Sequence, residues 1–451
     1  MTNNMHIKNF QFSFKNHNFE DYLGKNTLKK NNMARKAQNK KKYTFIDLFA
    51  GCGGLSEGFL ESGQFEPLAH VEWELPMVNT LRNRLSTHWN YSEEEARKSV
   101  ILFDIQKTKE LLSGKWAKDS TAKYGLYNHP DIISKGMKEL IGRKKVNLVI
   151  GGPPCQAYSI HGRATDKDSM QNDYRNYLFE SFVKVVKAFK PDIFVFENVA
   201  GILSAKPGGI HVTERIYSAF SDAGYSIRTP KELSNSIYNA IDFGVPQNRP
   251  RVIILGVRKN SRYDLEKLYS SISSEITKEH KTVRDAIFNL PKILPLREPV
   301  KVGKGNVSHR VIDPNPMITQ HVPRYHAPRE VNVFRKWVTN DMNRISQKEK
   351  IDFYYKITGH HTLYAKYKSL YWDKPSHTIV AHLSKDGYMF IHPDPEQARS
   401  ITIREAALLM TFPMDYRFIG NTAMCYKMIG NAVPVLMAKG IANGIAKEMN
   451  R

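Results

Sequence analysis

Short apolar runs alternate with polar or amphipathic stretches between residues 43 and 258. The runs read YTFIDLFA, PLAHVEWE, SVILFDI, VNLVIGG, DIFVFENV and RVIILGV, each of a length typical of a buried strand. Between two of them, segment 173–190 places Leu, Phe and Val on one helical face and stops at Pro191. This alternation predicts an α/β fold with a mostly parallel sheet and helices on both faces.

The same pattern divides the chain into four segments. Residues 1–42 are rich in Asn and Lys without periodicity, which indicates a basic N-terminal extension; a flexible arm and additional DNA contact are the two interpretations. Residues 43–258 form the main domain. In 259–377 the alternation fails over a length too great for a loop, which predicts a second, smaller domain. Residues 378–451 return to the main domain and end in a helix with Pro434 near its start.

Charge and cysteine content narrow the class of protein. The 451 residues include 67 Lys and Arg against 44 Asp and Glu, a net charge of +23 that favours a nucleic-acid partner. An anionic membrane surface and a generally basic proteome are the alternatives. No apolar stretch is long enough to cross a bilayer and no secretory signal is present, so we expect a cytoplasmic protein without a membrane partner. The three cysteines lie far apart without a CxxC pair, so neither disulfides nor a metal site is expected.

Chemically distinctive residues follow five of the predicted strands. They are the glycine-rich loop 51–54, the pair Glu72 and Trp73, Asp104, Cys155 and Glu197. Ligands of open α/β sheets bind at the carboxyl ends of the strands. We therefore expect these residues to line one shared crevice.

The first loop lacks the third glycine of the dinucleotide fingerprint, because its sequence is GCGGLS. Glu72 lies 21 residues beyond Gly51, where an acid would accept ribose hydroxyls, and Trp73 offers a face for adenine. A ribose and adenine without a pyrophosphate describe S-adenosylmethionine. A tight turn followed by a surface glutamate is the alternative. Asp104 is either a contact of the adenine amino group or a turn cap.

A lone cysteine stands directly after two glycines and two prolines in GGPPCQAYS. An isolated cysteine is most often a small buried hydrophobe, but the rigid flanks would hold the Cys155 thiol at the ligand-binding edge. A nucleophilic thiol gains from positive neighbours, which Arg249 and Arg251 in QNRPR would supply. Glu197 leaves an apolar strand and is either a general acid or a capping or ion-paired glutamate.

Together these motifs resemble those of the DNA (cytosine-5)-methyltransferases, notably the bacterial enzymes of restriction–modification systems. DLFAGCGGLSEGF, GGPPCQAYS, ENV, QNRPR, REAALLMTFP and GNAVP occur in the order of that family. The resemblance covers residues 43–451. It implies a Rossmann-like fold dependent on S-adenosylmethionine, with 43–258 and 378–451 as the catalytic domain and 259–377 as the target recognition domain.

The resemblance also implies roles for individual residues. Cys155 would attack C6 of cytosine, Glu197 would protonate N3, and Arg249 and Arg251 would hold the base or steady the site. The implied cofactor contacts are Phe49, Gly51, Cys52, Gly53, Gly54, Leu55, Glu72, Trp73, Asp104, Ile105, Pro153, Leu178, Asn431 and Ala432. The implied DNA contacts are Gln156, Ser159, His161, Arg163 and Gln247. Phe103 replaces a glycine common in the family and is expected to narrow the adenine pocket.

The implied reaction is methyl transfer from S-adenosylmethionine to C5 of a cytosine in a specific double-stranded DNA sequence, with S-adenosylhomocysteine as product. It would proceed through base flipping and a covalent Cys–C6 adduct. The implied setting is a monomer bound to the bacterial nucleoid, with a restriction endonuclease as its genetic rather than physical partner. A transfer-RNA cytosine-5 methyltransferase and a non-catalytic DNA-binding relative are the alternatives.

Overall fold

The computed structural model of the chain describes residues 42–154 and 178–451. Its strands are β1 (Tyr43–Leu48), β2 (Phe65–Glu72), β3 (Val100–Leu102), β4 (Leu148–Gly151), β5 (Ile193–Val199), β6 (Tyr225–Ser226), β7 (Ile237–Asn239), β8 (Gln247–Asn248), β9 (Pro250–Arg258), β10 (Ile293–Val302), β11 (Gly305–Val311) and β12 (Ser376–His377).

The helices in the described ranges are α1 (Gly54–Glu61), α2 (Leu75–His88), α3 (Glu93–Ser99), α4 (Thr108–Ser113), α5 (Lys118–Tyr124), α6 (Pro130–Ile141), α7 (Leu178–Phe189), α8 (Val212–Asp222), α9 (Leu265–Ser273), α10 (Val283–Ile287), α11 (Pro328–Thr339), α12 (Gln347–Thr358), α13 (Ile403–Leu409), α14 (Thr422–Asn431) and α15 (Val435–Met449). Short 3-10 turns occupy Ile105–Lys107, Gly125–Tyr127, Ala200–Ser204, Pro207–Gly209, Glu232–Ser236, Ala240–Phe243 and Ala381–Ser384.

The central sheet has the strand order β3-β2-β1-β4-β5-β9-β6, with β7 also paired to β9. The first five strands are parallel, which confirms the mostly parallel sheet that the sequence predicted. Strand β9, which contains the run RVIILGV, is antiparallel to β5, β6 and β7. Leu48 pairs with Gly151 on one side and Val71 on the other, so the carboxyl ends of β1, β2 and β4 meet at one edge.

Both faces of the sheet are covered by helices. Along β5, Phe194 and Phe196 pack into one hydrophobic core with α2, α7 and α8. Ile193 and Val195 pack into a second core with α1, α9 and α15. The alternation follows from the period of two in a strand, which sends successive side chains to opposite faces. It confirms the doubly covered sheet.

Two predicted helices have definite ends in the structure. Helix α7 ends at Phe189, one residue before Lys190, and the part of the predicted 173–190 helix that precedes Leu178 lies outside the described residues. Helix α15 starts directly after Pro434, which is its N-cap residue, where a missing N–H is tolerated.

The segment 259–377 contains more regular structure than its sequence pattern predicts. Helix α9 packs into the main core through Leu268 and Ile272. Farther along, Phe334 and Trp337 of α11 form a separate small core with Tyr367 and Ile391. The predicted domain limits themselves stay a prediction. In the ranges that the structure describes, no helix is both long and apolar enough for a membrane crossing.

Candidate active site

A cavity of about 650 Å³ opens where the parallel strands of the sheet end. Sixteen of the candidate site residues line it together, so most of the expected crevice is present, while the place of Cys155 in it stays a prediction. They are Phe49, Gly51, Cys52, Gly54, Leu55, Glu72, Trp73, Asp104, Ile105, Pro153, Leu178, Glu197, Arg249, Arg251, Asn431 and Ala432.

The remaining predicted residues fall into two groups. Gly53 and Gln247 are described by the structure but do not line the cavity. Cys155, Gln156, Ser159, His161 and Arg163 lie outside the described residues. Gly53 is the N-cap of α1 with a φ of 92°, and a Cβ there would lie 2.6 Å from a methyl carbon of Leu81. Gly53 therefore lies against Leu81, behind the cavity wall.

The loop after β1 is held in a conformation that few residues adopt. Phe49 and Gly51 both have a φ of 57°, in the left-handed region that is uncommon for any residue with a side chain. The Gly51 N–H donates to Glu72 Oε2 at 2.9 Å, and the Tyr416 hydroxyl donates to the Cys52 carbonyl. Such strain persists only where surrounding contacts hold it, and here it places the Phe49 ring in the cavity wall.

Glu72 is a buried carboxylate that is already engaged by backbone groups. Its Oε1 accepts the N–H groups of Trp73 and Glu74 at 2.8 and 2.9 Å, in addition to the Gly51 bond to Oε2. Burial raises the pKa of Glu72, and these backbone bonds oppose the increase. Trp73 beside it is 46 % exposed, so its ring remains available for stacking.

Asp47 is a site residue that the sequence interpretation missed. It lies on β1, is 1 % exposed, and lines the cavity. The Ser56 hydroxyl donates to its Oδ2, while its Oδ1 has no hydrogen-bond partner among the described residues. Burial raises the pKa of Asp47 to about 7. The sequence did contain a signal for Asp47. This residue is a carboxylate near the end of an apolar run, in DLFAG, just as Glu197 is in its own strand.

Asp104 is a turn cap that also lines the cavity, while its contact with an adenine amino group stays a prediction. Its Oδ1 accepts the Gln106 N–H at 3.0 Å, so it caps the turn Ile105–Lys107, and it also lines the cavity. Phe103 lines the cavity as well, while its ring packs 4.4 Å from Trp116 and 5.3 Å from Tyr124, measured between ring centroids. The segment between β3 and β4 therefore supplies the aromatic support for this wall.

Glu197 and Arg251 both line the same cavity, and they form an ion pair there. Arg251 Nε lies 2.8 Å from Glu197 Oε1, and both side chains are about nine-tenths buried. Asn198 is buried next to Glu197, and its Nδ2 donates to the Pro153 carbonyl at 3.2 Å. The strand that carries Glu197 is thus tied to the Pro153–Pro154 segment, which directly precedes Cys155 in the sequence.

The two glycines before these prolines are required by close approach. A Cβ on Gly151 would lie 2.2 Å from the Leu48 carbonyl oxygen, and one on Gly152 would lie 2.6 Å from Glu197 Oε2. Neither glycine has a positive φ. Glycine is therefore needed here for close approach and not for its backbone conformation, because the neighbouring strand and the Glu197 carboxylate occupy the space of a side chain.

Arg249 is buried, and its hydrogen bonds support the part of the cavity wall that residues 430–432 form. Its Nη2 donates to the carbonyls of Gly430 and Ala432 at 2.9 and 2.8 Å, and its Nη1 donates to Ile379 O at 2.5 Å. Gln247 is also buried and accepts the Ile379 N–H at 3.0 Å. Arg249 therefore holds the turn that presents Asn431 and Ala432. The role of Gln247 as a DNA contact stays a prediction.

The chain matches a known protein family over most of its length. The sequence profile described as "C-5 cytosine-specific DNA methylase" matches residues 43–115 and 121–447. Type II methyltransferase M.Bpa9945I of Bacillus paralicheniformis is 34 % identical, over 90 % of this chain and 99 % of the relative. Type II methyltransferase M1.HphI of Haemophilus parahaemolyticus is 30 % identical, over 90 % of this chain and 87 % of the relative.

Solved structures share the fold at low sequence identity. The crystal structure of a proposed DNA modification methyltransferase encoded within an E. coli prophage has a TM-score of 0.54 at 22 % identity, covering 91 % of this chain and all of that one. The Entamoeba histolytica methyltransferase EhMeth has a TM-score of 0.51 at 12 % identity, with the same coverage.

Proposed function

The chain belongs to the C-5 cytosine-specific DNA methylase family, as its motifs indicated, and we propose that it methylates C5 of a cytosine within a specific double-stranded DNA sequence. One observation carries this proposal. A single cavity contains both a wall suited to a nucleoside and the Glu197–Arg251 pair, next to the prolines that precede Cys155.

S-adenosylmethionine is the methyl donor that we propose for this cavity, and the residues present fit it. Trp73 offers an exposed ring face for adenine. Glu72 lies beside it, and its Oε2, which accepts the Gly51 N–H, has a second acceptor site for a ribose hydroxyl. The Oδ1 of Asp47, which has no hydrogen-bond partner in the described part of the chain, would accept from the ammonium group of the methionine part. When bound, S-adenosylmethionine supplies a methyl group on a positively charged sulfur, which is the electrophile of the reaction.

The protein groups have to make a weak nucleophile reactive. C5 of cytosine does not take a methyl group directly, so the Cys155 thiolate adds to C6, and a sulfur–carbon bond forms. The protonated form of Glu197 donates a proton to N3, which leaves C5 with the electron density of an enamine. After methylation a base removes the C5 proton, the electron pair of that bond restores the C5–C6 double bond, the Cys155 sulfur leaves as a thiolate, and N3 returns its proton to Glu197.

Arg251 is proposed as the positioning group for this proton transfer. Its ion pair holds one carboxylate oxygen of Glu197, so the other oxygen, which lies nearest Gly152, is directed to the base. The stacked base must be extruded from the duplex at a cost of a few kcal/mol. The net charge of +23 favours the phosphate contacts that offset this cost. Gln156, Ser159, His161 and Arg163 remain proposed contacts of the extruded base and its surroundings.

The proposed function is tested by expressing the protein in cells that lack cytosine methylation. Bisulfite sequencing is expected to show one recurrent sequence in which a single cytosine position is protected. Labelled methyl transfer to transfer RNA, with none to duplex DNA, would contradict the proposal. The family description and the Type II names of the relatives do not favour that RNA alternative.

The restriction–modification setting follows from the Type II relatives. We propose that the modified sequence is one that a partner endonuclease cuts, and that the enzyme acts as a monomer on the DNA of the bacterial nucleoid in the cytoplasm. DNA isolated from expressing cells should then resist an endonuclease specific for the protected sequence, while DNA from cells without the protein is cut.

Asp47 makes cofactor binding dependent on pH. With a pKa of about 7 before binding, its carboxyl group is mostly neutral at pH 6 and mostly charged at pH 8. Only the charged form attracts the ligand ammonium, so the affinity for S-adenosylhomocysteine should rise about tenfold from pH 6 to pH 8. Isothermal titration calorimetry at the two pH values measures this change.

The variant Asp47→Asn should lose this pH dependence and bind more weakly at pH 8, whereas the exposed Asp222→Asn should behave as the wild type. Circular dichroism checks that Asp47→Asn is folded. An unchanged affinity of the wild-type protein between pH 6 and pH 8 would contradict the role of Asp47 without any variant.

A further inference from the structure

Strands β10 and β11 form an antiparallel ribbon, residues 293–311, whose outer part is surrounded by solvent. Every residue from 297 to 307 is exposed. The base of the ribbon is fixed instead: the Ile293 N–H donates to Gln397 Oε1 at 3.0 Å, and His309 Nε2 lies 3.1 Å from the Gln397 carbonyl oxygen. The ribbon is therefore an arm with an anchored base and a solvated tip.

The ribbon tip has an apolar face that nothing in the described chain covers. Val300 is paired with Val307 and Val302 with Gly305, while Lys301 is paired with Asn306. Directly opposed residues share a face of the ribbon, so the three valines lie together on one side. Val300 is 52 % exposed, Val302 is 60 % exposed and Val307 is 37 % exposed. These neighbouring exposed valines are the apolar surface that the ribbon tip offers to a partner.

The charge of the ribbon identifies the partner. Its exposed ionised side chains are Arg297, Lys301, Lys304 and Arg310 against Glu298 alone. Among the ion pairs of the described residues, none involves these four cations. An arm with unpaired positive charge around an apolar face is complementary to a polyanion that also offers apolar groups.

We propose that residues 293–311 form the arm that enters the major groove of the substrate DNA, a proposal that rests on the proposed function. The major groove admits a two-stranded ribbon, and there it exposes the thymine methyl groups and the C5 edges of cytosines. The valine face contacts these base edges, while Arg297, Lys301 and Lys304 contact phosphates. Val300, Val302 and Val307 thereby contribute to the choice of sequence.

The phosphate contacts are tested by the variant Arg297→Ala/Lys301→Ala/Lys304→Ala, with Lys231→Ala/Lys267→Ala/Lys278→Ala as a matched control that removes three other exposed cations. The dissociation constant for a duplex containing the target is measured as a function of salt. The ribbon variant should bind about tenfold more weakly, and its salt slope should be smaller by roughly two to three. The control should change less. Equal effects in both variants would overturn the proposal.

The valine contacts are tested by Val300→Ser/Val302→Ser/Val307→Ser. This variant should retain the wild-type salt slope but lower the ratio of target to non-target methylation about tenfold, as measured by bisulfite sequencing. Unchanged selectivity of this variant would show that the three valines do not contribute to the choice of DNA sequence. If sedimentation shows that the variant dissociates a dimer while DNA affinity and selectivity stay unchanged, the ribbon contacts a second copy and the proposal is wrong.

The two proposals fail in distinguishable ways. If the wild-type protein methylates no duplex DNA, the proposed function is wrong. If the wild type methylates DNA and both ribbon variants match it in affinity and selectivity, only the ribbon proposal is wrong. Affinity for S-adenosylhomocysteine and the thermal unfolding midpoint serve as folding controls, because the exposed ribbon tip belongs to none of the hydrophobic cores.

Discussion

Replacing Cys155 with Ala is expected to abolish methyl transfer to DNA and to leave cofactor binding intact. The thiolate supplies the bond to C6 that makes C5 reactive, and neither Arg251 nor Glu197 provides a substitute nucleophile. We expect the single-turnover rate to fall at least ~10³-fold. The affinity for S-adenosylhomocysteine should stay within about twofold, because the cofactor wall is formed by other residues.

The other two cysteines provide the contrast for this experiment. Cys52 and Cys425 are both about 1 % exposed, and burial raises the pKa of each thiol, so neither is expected to act as the nucleophile. Cys425→Ala, at a position outside the cavity, should retain transfer. A Cys155→Ala protein that methylates DNA at the wild-type rate would exclude the covalent mechanism.

Glu197→Gln is expected to have the second largest effect. The amide keeps the size of the side chain but cannot donate the proton that N3 needs, and it weakens the ion pair with Arg251 Nε. General acid catalysis contributes about 10²- to 10⁴-fold, so the single-turnover rate should fall within that range. Affinities for S-adenosylhomocysteine and duplex DNA should change much less than the rate.

A matched control comes from another Arg–Glu pair. Glu266 lies 2.6 Å from Arg228 and is 63 % exposed, so Glu266→Gln removes a similar ion pair away from the cavity. That variant should retain the wild-type rate. Loss of less than about tenfold in Glu197→Gln, or an equal loss in Glu266→Gln, would show that Glu197 is not the acid.

Much of the main domain could be predicted because each parallel strand is buried on both faces. Runs such as VNLVIGG and DIFVFENV are then continuously apolar, and their ends are marked by the polar residues that line the cavity. Glu72 and Glu197 were therefore found from sequence alone. The orientation of β9 was not, because an apolar run has the same pattern whether its neighbour is parallel or antiparallel.

Other features depend on contacts between distant parts of the chain. The Asp47 oxygen that lacks a partner within residues 42–154 and 178–451 is visible only once Ser56 and the cavity are placed around it. Arg249 was predicted to act on the base or steady the site, but its bonds to the Gly430 and Ala432 carbonyls require knowing where α14 ends. Sequence motifs identify which residues matter more readily than they identify what each one touches.

The segment 259–377 was the hardest to predict for a different reason. The outer part of its ribbon is solvated on both faces, and the alternation of Val300, Lys301 and Val302 is cut short by Gly303 and Gly305, so it is too brief to predict a strand. Helix α12 has no fully buried residue, because Phe353, Tyr354 and Ile357 are only partly buried where they pack against the small core of α11, so its apolar face is a weak signal. Its capping box, formed by Ser346 and Glu349, was the available signal.

Covalent trapping shows directly whether the Cys155 sulfur becomes bonded to C6 of a target cytosine. A duplex with 5-fluorocytosine at the methylated position is incubated with the protein and S-adenosylmethionine, because fluorine on C5 prevents the proton loss that releases the enzyme. Peptide mass spectrometry should find the nucleotide on the peptide that contains Cys155, only when S-adenosylmethionine is present. Absence of any adduct from a protein that methylates the normal duplex, or an adduct that persists in Cys155→Ala, would contradict the account.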